Sequence, residues 1–333
     1  MNIIIPMAGM GKRLRPHTLT VPKPLVKIAG KPIVQHLVED IARMVDEPIS
    51  KIVFVTGRFG EEVENHLVET AKELGAEGEI AYQDEALGTA HAVWCAREAL
   101  RGKVIVAFAD TLFKADFQLD DEADGVLWVK QIDDPSSFGV VKLDSRGQIV
   151  DFVEKPKEFV SDLAMIGVYF FRDGEALKEA IDTLMKNGDM KGGEYQLPDA
   201  LRMLTNEGKR FTAGKVDEWM DCGNPKVTVE TAVKVLEMKF PQSEIHPDSR
   251  IDHSVIVPPC YIGPDAVISH AVVGPGVSVG KGTKIENSRV SHSLLQDHTH
   301  LSGVHIQHSM VGSHAEYESP AKTLNLGDYN SVS

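Results

Sequence analysis

Three groups of residues in this chain have the types and spacing for phosphate chemistry. The first is Ala8-Gly9-Met10-Gly11-Lys12-Arg13, which follows the apolar run Ile3-Ile4-Ile5 and is continued by Pro22-Lys23-Pro24. A strand running into Gly-x-Gly lets backbone N–H groups approach a phosphate without Cβ interference, and Arg13 and Lys23 add fixed positive charge. The spacing is not that of a Walker A loop, and Leu14 stands where a dinucleotide fingerprint needs its third glycine. The second group is Asp110, at the end of the apolar run Val104–Ala109, with Asp221 in Trp219-Met220-Asp221-Cys222-Gly223. Two carboxylates at one sheet edge could hold Mg²⁺ through few protein ligands, leaving waters and phosphates to complete the octahedron. The third is Glu154-Lys155-Pro156, where the lysine suits a monoester phosphate and the carboxylate can accept from hydroxyls. Singly, each also reads as a tight turn, a capping Asp or a solvated charge pair. It is their joint occurrence that points to phosphates.

The elements that must position these residues alternate in period. Apolar runs at 2–8, 51–56, 80–83 and 104–109 are interleaved with amphipathic stretches at 32–44, 60–74 and 90–100. That alternation predicts an α/β fold whose mostly parallel sheet binds ligands at the C-terminal ends of its strands. From Gly125 the pattern becomes strand-like, with a hairpin over 139–154 around Asp144-Ser145-Arg146-Gly147, then helices at 174–186, 195–204 and 225–240. A first, α/β domain is therefore expected at 1–240, followed by a linker at 241–250 with two prolines. Beyond it Ile256, Ile262 and Ile268, Val273, Val279 and Ile285, then Leu295 and Leu301 recur every six residues, the spacing of a three-sided parallel β-helix at 251–314. A tail at 315–333 remains.

Composition narrows the class. The 333 residues include 35 Lys+Arg and 49 Asp+Glu, a net charge of −14, which argues against a general nucleic-acid surface. Cys95, Cys222 and Cys260 lie far apart without metal-ligand spacing, which suits a reducing cytoplasm. The N-terminus lacks the basic start of a signal peptide, and no apolar stretch has the length to span a bilayer. No membrane partner is expected.

The ordered set Gly9-x-Gly11-x-Arg13, Pro22-Lys23-Pro24, Gln83-x-x-x-x-Gly88-Thr89-Ala90, Asp110, Phe138-Gly139-Val140, Glu154-Lys155-Pro156 and Trp219-x-Asp221-x-Gly223 resembles the sugar-1-phosphate nucleotidylyltransferases. The hexads resemble the left-handed β-helix appended to several branches, including long-type glucose-1-phosphate thymidylyltransferases. The resemblance implies a Rossmann-like mixed sheet and Mg²⁺-dependent in-line attack by a sugar 1-phosphate on the α-phosphorus of an NTP, with pyrophosphate leaving. The attacking oxygen is already anionic, so positioning and charge neutralisation carry the rate without a general base. It further implies that Arg13 and Lys23 stabilise the transition state, that Asp110 and Asp221 hold the metal, and that Ala8, Gly9, Gly11, Gln83, Gly88 and Thr89 bind the nucleotide. Gly139, Glu154 and Lys155 would bind the sugar phosphate. Lys12, Met10 and Ala109 depart from the commonest residues of the family at their positions.

Glutamine at position 83 can offer both donor and acceptor to the imide edge of uracil or thymine, which favours dTTP or UTP over GTP. Glucose 1-phosphate follows by resemblance only. The alternatives are a bifunctional N-acetylglucosamine-1-phosphate uridylyltransferase/acetyltransferase, a mannose-1-phosphate guanylyltransferase and a non-catalytic nucleotide-sugar sensor. Nine of 13 histidines lie in the repeat region, and His292/His308 and His298/His314 are each 16 apart, close to one coil, so they are expected to stack as ladders. Acyl transfer, metal binding, a pH-sensitive contact or plain corner positions on an oligomerisation helix would each place them there. The exposed coil end and flat faces of such a helix favour a homo-oligomer.

Overall fold

The computed structural model describes residues 1–115, 122–323 and 325–329. The chain forms two compact units, one of residues 1–26 and 32–223, the other of 27–31 and 224–333.

In the first unit β1 (Asn2–Pro6), β2 (Lys51–Thr56), β3 (Glu77–Tyr82) and β4 (Val104–Ala107) are parallel strands, with α1 (Ile33–Met44), α2 (Glu61–Glu73) and α3 (Thr89–Cys95) between them. A short ladder of β5 (Thr111–Lys114) follows, then β6 (Gly125–Gln131), the hairpin β7 (Gly139–Leu143) and β8 (Ile149–Glu154), and the long β9 (Leu163–Phe171). After α4 (Gly174–Asn187) and α5 (Leu197–Asn206) come β10 (Phe211–Lys215) and β11 (Glu218–Asp221). The sheet runs β8-β7-β9-β4-β1-β2-β3, and β6 pairs both β9 and β10. Strands β1 and β4 are fully buried in their centres, Ile3 to Ile5 and Val104 to Ala107 all at 0% exposure, as near-continuous apolar runs must be when helices cover both faces. Since β1 is flanked by β2 and β4, its loop and that of β4 leave toward opposite sides and open a crevice between them. The sequence reading of one helix over 90–100 breaks after Cys95 into a separate short turn at Arg97–Ala99.

The second unit is a stack of parallel strands in three sheets, the left-handed β-helix of the hexads. Arg250, Val267, Lys284, His300 and Glu316 pair in succession, so the coils measure 17, 17, 16 and 16 residues rather than 18. The inward residues Ile262, Ile268, Val273, Val279, Ile285, Val290 and Leu301 are at 0% exposure. The expected histidine ladders are present: the His292/His308 rings stack with centroids 5.2 Å apart and His298/His314 at 5.0 Å, and His253/His270 adds a third at 5.1 Å. All six have φ between 44° and 58°, and Asn287, Asp265, Gly276, Gly282 and Gly303 share that left-handed region. Asn, Asp and His are the side chains that enter it most readily, which gives the histidine enrichment a backbone cause at the coil corners.

Two boundaries differ from the sequence reading. Helix α6 (Pro225–Lys239), expected to close a domain ending at residue 240, belongs to the second unit, where it packs along Val277–Val279 and Ser293–Leu295. Its stripe of Thr228, Val229, Ala232, Val235 and Leu236 announces a buried face, but periodicity does not name the partner. The expected linker 241–250 contains the coil strand Glu244–Ile245 and starts another at Arg250, and the last coil strand, Glu316–Glu318, lies within the expected tail. Residues 324 and 330–333 of that tail fall outside the described residues. Among the described residues no helix is long and apolar enough to cross a membrane.

Candidate active site

The loop after β1 is shaped by Gly11. Its φ of +65° is costly for residues with a Cβ, and a Cβ there would stand 2.6 Å from the Lys23 Cβ. The Gly11 carbonyl accepts from the Thr18 hydroxyl at 2.8 Å, and buried Leu14 anchors the turn that presents exposed Arg13. At Gly9 an added Cβ would meet no protein atom within 4 Å, and the residue lines a cavity, so the backbone there is open to a ligand. Lys23 is buried, and its Nζ lies 3.3 Å from Asp110 Oδ2.

Asp110 follows β4, and Asp221 ends β11. The two are brought together by the antiparallel β5–β11 ladder, in which Asp221 faces Thr111, and by the Cys222 amide donating to the Asp110 carbonyl at 3.2 Å. Trp219 Nε1 donates to Thr111 Oγ1 at 2.6 Å and fastens the same ladder. Burial pushes the Asp221 carboxyl above its ordinary range; Lys23 opposes this, the Asp110 charge adds to it, and the Gly223 amide and Arg13 oppose it further. Such a carboxylate pair, only partly compensated by Lys23 and Arg13, fits a hard divalent cation. Among the described residues no group of three or more His, Cys, Asp or Glu side chains is placed to hold a metal, so a cation here would rely on two carboxylates together with substrate and water oxygens.

Two adjoining cavities meet at this point. One, of about 420 Å³, is lined by the Gly9–Gly11 loop, Lys23, Gln83 and Gly88. The other, of about 250 Å³, is lined by Gly139, Glu154, Tyr169, Trp219 and Asp221. Arg13, Thr89, Phe108 and Asp110 line both.

In the second cavity Glu154 stands opposite Gly139 in the β7–β8 hairpin. A Cβ on Gly139 would lie 2.8 Å from Glu154 Oε2 and 2.4 Å from Met165 Cε, so glycine is what admits the carboxylate. Partial burial raises the Glu154 pKa, against the nearby Lys155. Lys155 has φ +43° although it precedes Pro156, a conformation that costs energy, and its amide donates to the Phe138 carbonyl at 3.1 Å. Its side chain is exposed, with Nζ 3.8 Å from Glu154 Oε1, and it is not among the residues lining either cavity. Tyr169, which the sequence reading did not single out, is buried, its phenol pushed up by burial and then by Glu154 and Asp110. A tyrosine within an apolar strand gives no sequence signal of facing a cavity.

In the first cavity Gln83 differs from its expected use. Its Nε2 donates to the Gly88 carbonyl at 3.1 Å and faces His91 Nδ1 at 3.2 Å, which accounts for both amide hydrogens and leaves Oε1 as the atom it can offer a ligand. Thr89 is likewise engaged: its hydroxyl accepts from the Leu197 amide at 2.9 Å and lies 3.3 Å from Gln196 Oε1, tying α3 to α5. Gly88, at φ +104°, has room for no Cβ, which would sit 2.5 Å from the Tyr195 carbonyl oxygen. This clasp, with Tyr195 N donating to Leu87 O and Ala90 N to Tyr195 O, brings Glu194 and Gln196 to the cavity walls, neither of which the motifs indicated. Gly88→Ala is expected to cost about 2–4 kcal/mol from backbone strain plus the clash, read as a lower urea midpoint.

A switch-point crevice that opens into two chambers, with a basic and an acidic side chain shared between them, has room for two ligands that meet at Arg13 and Asp110. Residues 2–238 match the nucleotidyl transferase family, and the chain belongs to it. It is 32% identical over 228 residues to the bifunctional protein GlmU of Methanococcus maripaludis, covering 68% of this chain and 52% of GlmU; the chain thus spans about half the length of that relative. It is 30% identical over 246 residues to the UTP–glucose-1-phosphate uridylyltransferase AglF of Haloferax volcanii, covering 71% of this chain and 97% of AglF. The nucleoside-diphosphate-sugar pyrophosphorylase of Vibrio cholerae superposes with a TM-score of 0.60 at 24% identity over 69% of this chain and 99% of that one, a likeness of fold.

Proposed function

We propose that the protein transfers a nucleotidyl group from UTP or dTTP to glucose 1-phosphate, releasing pyrophosphate. The observation that carries this is the pair of cavities sharing Arg13 and Asp110, which suits a triphosphate on one side and a sugar phosphate on the other, with reaction where they meet. The backbone at Ala8, Gly9 and Gly11 would cradle the triphosphate, and Arg13 and Lys23 would stabilise the charge that develops at the α-phosphorus and on the departing pyrophosphate. Asp110 and Asp221 would hold a divalent cation, Mg²⁺ in our reading, whose charge offsets that of the phosphates. Glu154 and the Gly139 backbone would accept from and donate to sugar hydroxyls. Lys155, near Glu154 on its strained backbone, would reach the sugar phosphate from the rim.

Gln83 Oε1 would accept the imide N–H of uracil or thymine. Guanine presents a ring N–H as well, so Gln83 alone does not set a pyrimidine apart from guanine; the likeness to AglF, a uridylyltransferase by name, favours the pyrimidine. Pyrophosphate release, measured with Mg²⁺ while crossing five NTPs with the 1-phosphates of glucose, mannose, galactose and N-acetylglucosamine, is expected only for UTP or dTTP with glucose 1-phosphate. Preference for GTP would overturn the nucleotide reading. No release from a folded protein that still binds nucleotide sugar would favour the non-catalytic sensor, and acetyl-CoA turnover the bifunctional alternative.

A further inference from the structure

We infer that His91 is a positioning residue for nucleobase choice: by accepting from Gln83 Nε2 it locks the Gln83 amide so that only Oε1 is offered to the base. The inference rests on the reading of Gln83 as the residue that faces the base. The amide orientation follows from chemistry, because the Gly88 carbonyl can only accept, so the Gln83 atom 3.1 Å from it is the nitrogen. The second hydrogen of that nitrogen is directed at His91 Nδ1, 3.2 Å away, which must then be the unprotonated ring nitrogen. In a neutral ring that accepts from Gln83, the proton is then carried by Nε2, which faces Cys95 Sγ at 3.9 Å.

His91 is held for this task. It lies in the first turn of α3, its ring stacks on Trp94 with centroids 6.1 Å apart and an interplanar angle of 19°, and Trp94 in turn carries the Arg97 guanidinium 4.2 Å over its face. The first cavity is walled by Gln83 and Ala92 but not by His91, so the imidazole stands behind the glutamine. Burial lowers the His91 pKa more than the Glu85 charge and a hydrogen bond to the Glu85 backbone raise it, in keeping with a neutral ring, and burial raises the Cys95 thiol.

An amide anchored at one end only can turn and present N–H in place of C=O. Uracil and thymine present a ring N–H, whereas cytosine presents a bare ring nitrogen at the same place, so the lock favours UTP over CTP and its loss weakens that preference. His91→Phe keeps a flat ring and removes the acceptor, while His91→Asn keeps an acceptor, Oδ1, in a place comparable to Nδ1. We expect the UTP/CTP ratio of kcat/KM to fall about tenfold in His91→Phe, through KM for UTP more than through kcat, and to be largely retained in His91→Asn. Thermal unfolding of each variant checks that the fold is intact, and Gln83→Leu serves as the reference for a base reader removed. Selectivity unchanged in His91→Phe but lost in Gln83→Leu would overturn the role of His91. Equal loss in Phe and Asn variants would overturn it too, since shape and not the acceptor would then matter. Selectivity unchanged in Gln83→Leu would show that the base is read elsewhere, and the reading on which the inference rests would fall first.

Discussion

Asp221→Asn is expected to lower pyrophosphate-releasing turnover by about 10²–10³-fold, the usual effect of deleting one preorganised charge at a phosphoryl-transfer site, without unfolding the protein. Asparagine preserves the shape at the end of β11, so the register of Asp221 with Thr111 and the Cys222 to Asp110 hydrogen bond persist. The stability effect follows from the direction of the Asp221 shift. Burial and the Asp110 charge raise its folded pKa, with Lys23, the Gly223 amide and Arg13 only partly opposing them. A carboxyl whose folded pKa exceeds its unfolded one makes stability fall as pH climbs from the unfolded pKa through the folded one, so ionising Asp221 in the folded protein carries a penalty. The neutral amide of the Asp221→Asn variant removes it, and the melting temperature without divalent cation should hold or rise slightly. Added Mg²⁺ should then raise the melting temperature of the wild type but hardly that of the variant. Near-wild-type turnover, or the same Mg²⁺ shift in both proteins, would remove Asp221 from the metal assignment.

What could be read from the sequence was whatever is fixed by local spacing. The Gly9–Gly11 loop, the strands that lead into Gln83 and toward Asp110, and the inward hexad residues of the β-helix all belong to this kind, because a turn or a strand face declares itself within a few residues. The ladders at His292/His308 and His298/His314 followed from the coil length, although their left-handed backbone did not. What escaped is set by partners distant in the chain. The stripe on α6 fits either unit equally well until the packing partner is known, and the pairing of β5 with β11 joins segments about a hundred residues apart. The use of the Gln83 amide hydrogens depends on the Gly88 carbonyl and the His91 rotamer, neither of which residue type discloses. Lys155 shows the reverse case, a residue whose motif was plain and whose side chain lies outside the two cavity walls.

Lys23→Met should be the most damaging change at a basic position, with turnover down about 10²–10³-fold. The substitution keeps an unbranched stem of similar length in the buried slot against Gly11 and deletes the ammonium alone. That ammonium has two tasks. It lies 3.3 Å from Asp110, and it is foremost among the groups that hold down the Asp221 pKa, so its loss leaves two neighbouring carboxylates with Arg13 as their remaining cation among these residues. The stability cost should nonetheless be modest. The Lys23 side chain is 8% exposed but that of Asp110 is 53%, so water takes over much of the stranded charge and about 1–2 kcal/mol is expected, below the roughly 3–5 kcal/mol of a fully buried pair. A urea titration beside steady-state kinetics separates the two effects. If the activity loss merely tracked unfolding, Lys23 would be a structural counter-ion. A folded variant whose turnover has collapsed would place its charge at the reacting phosphates, because only there does one buried ammonium act on the transition state more strongly than on the fold.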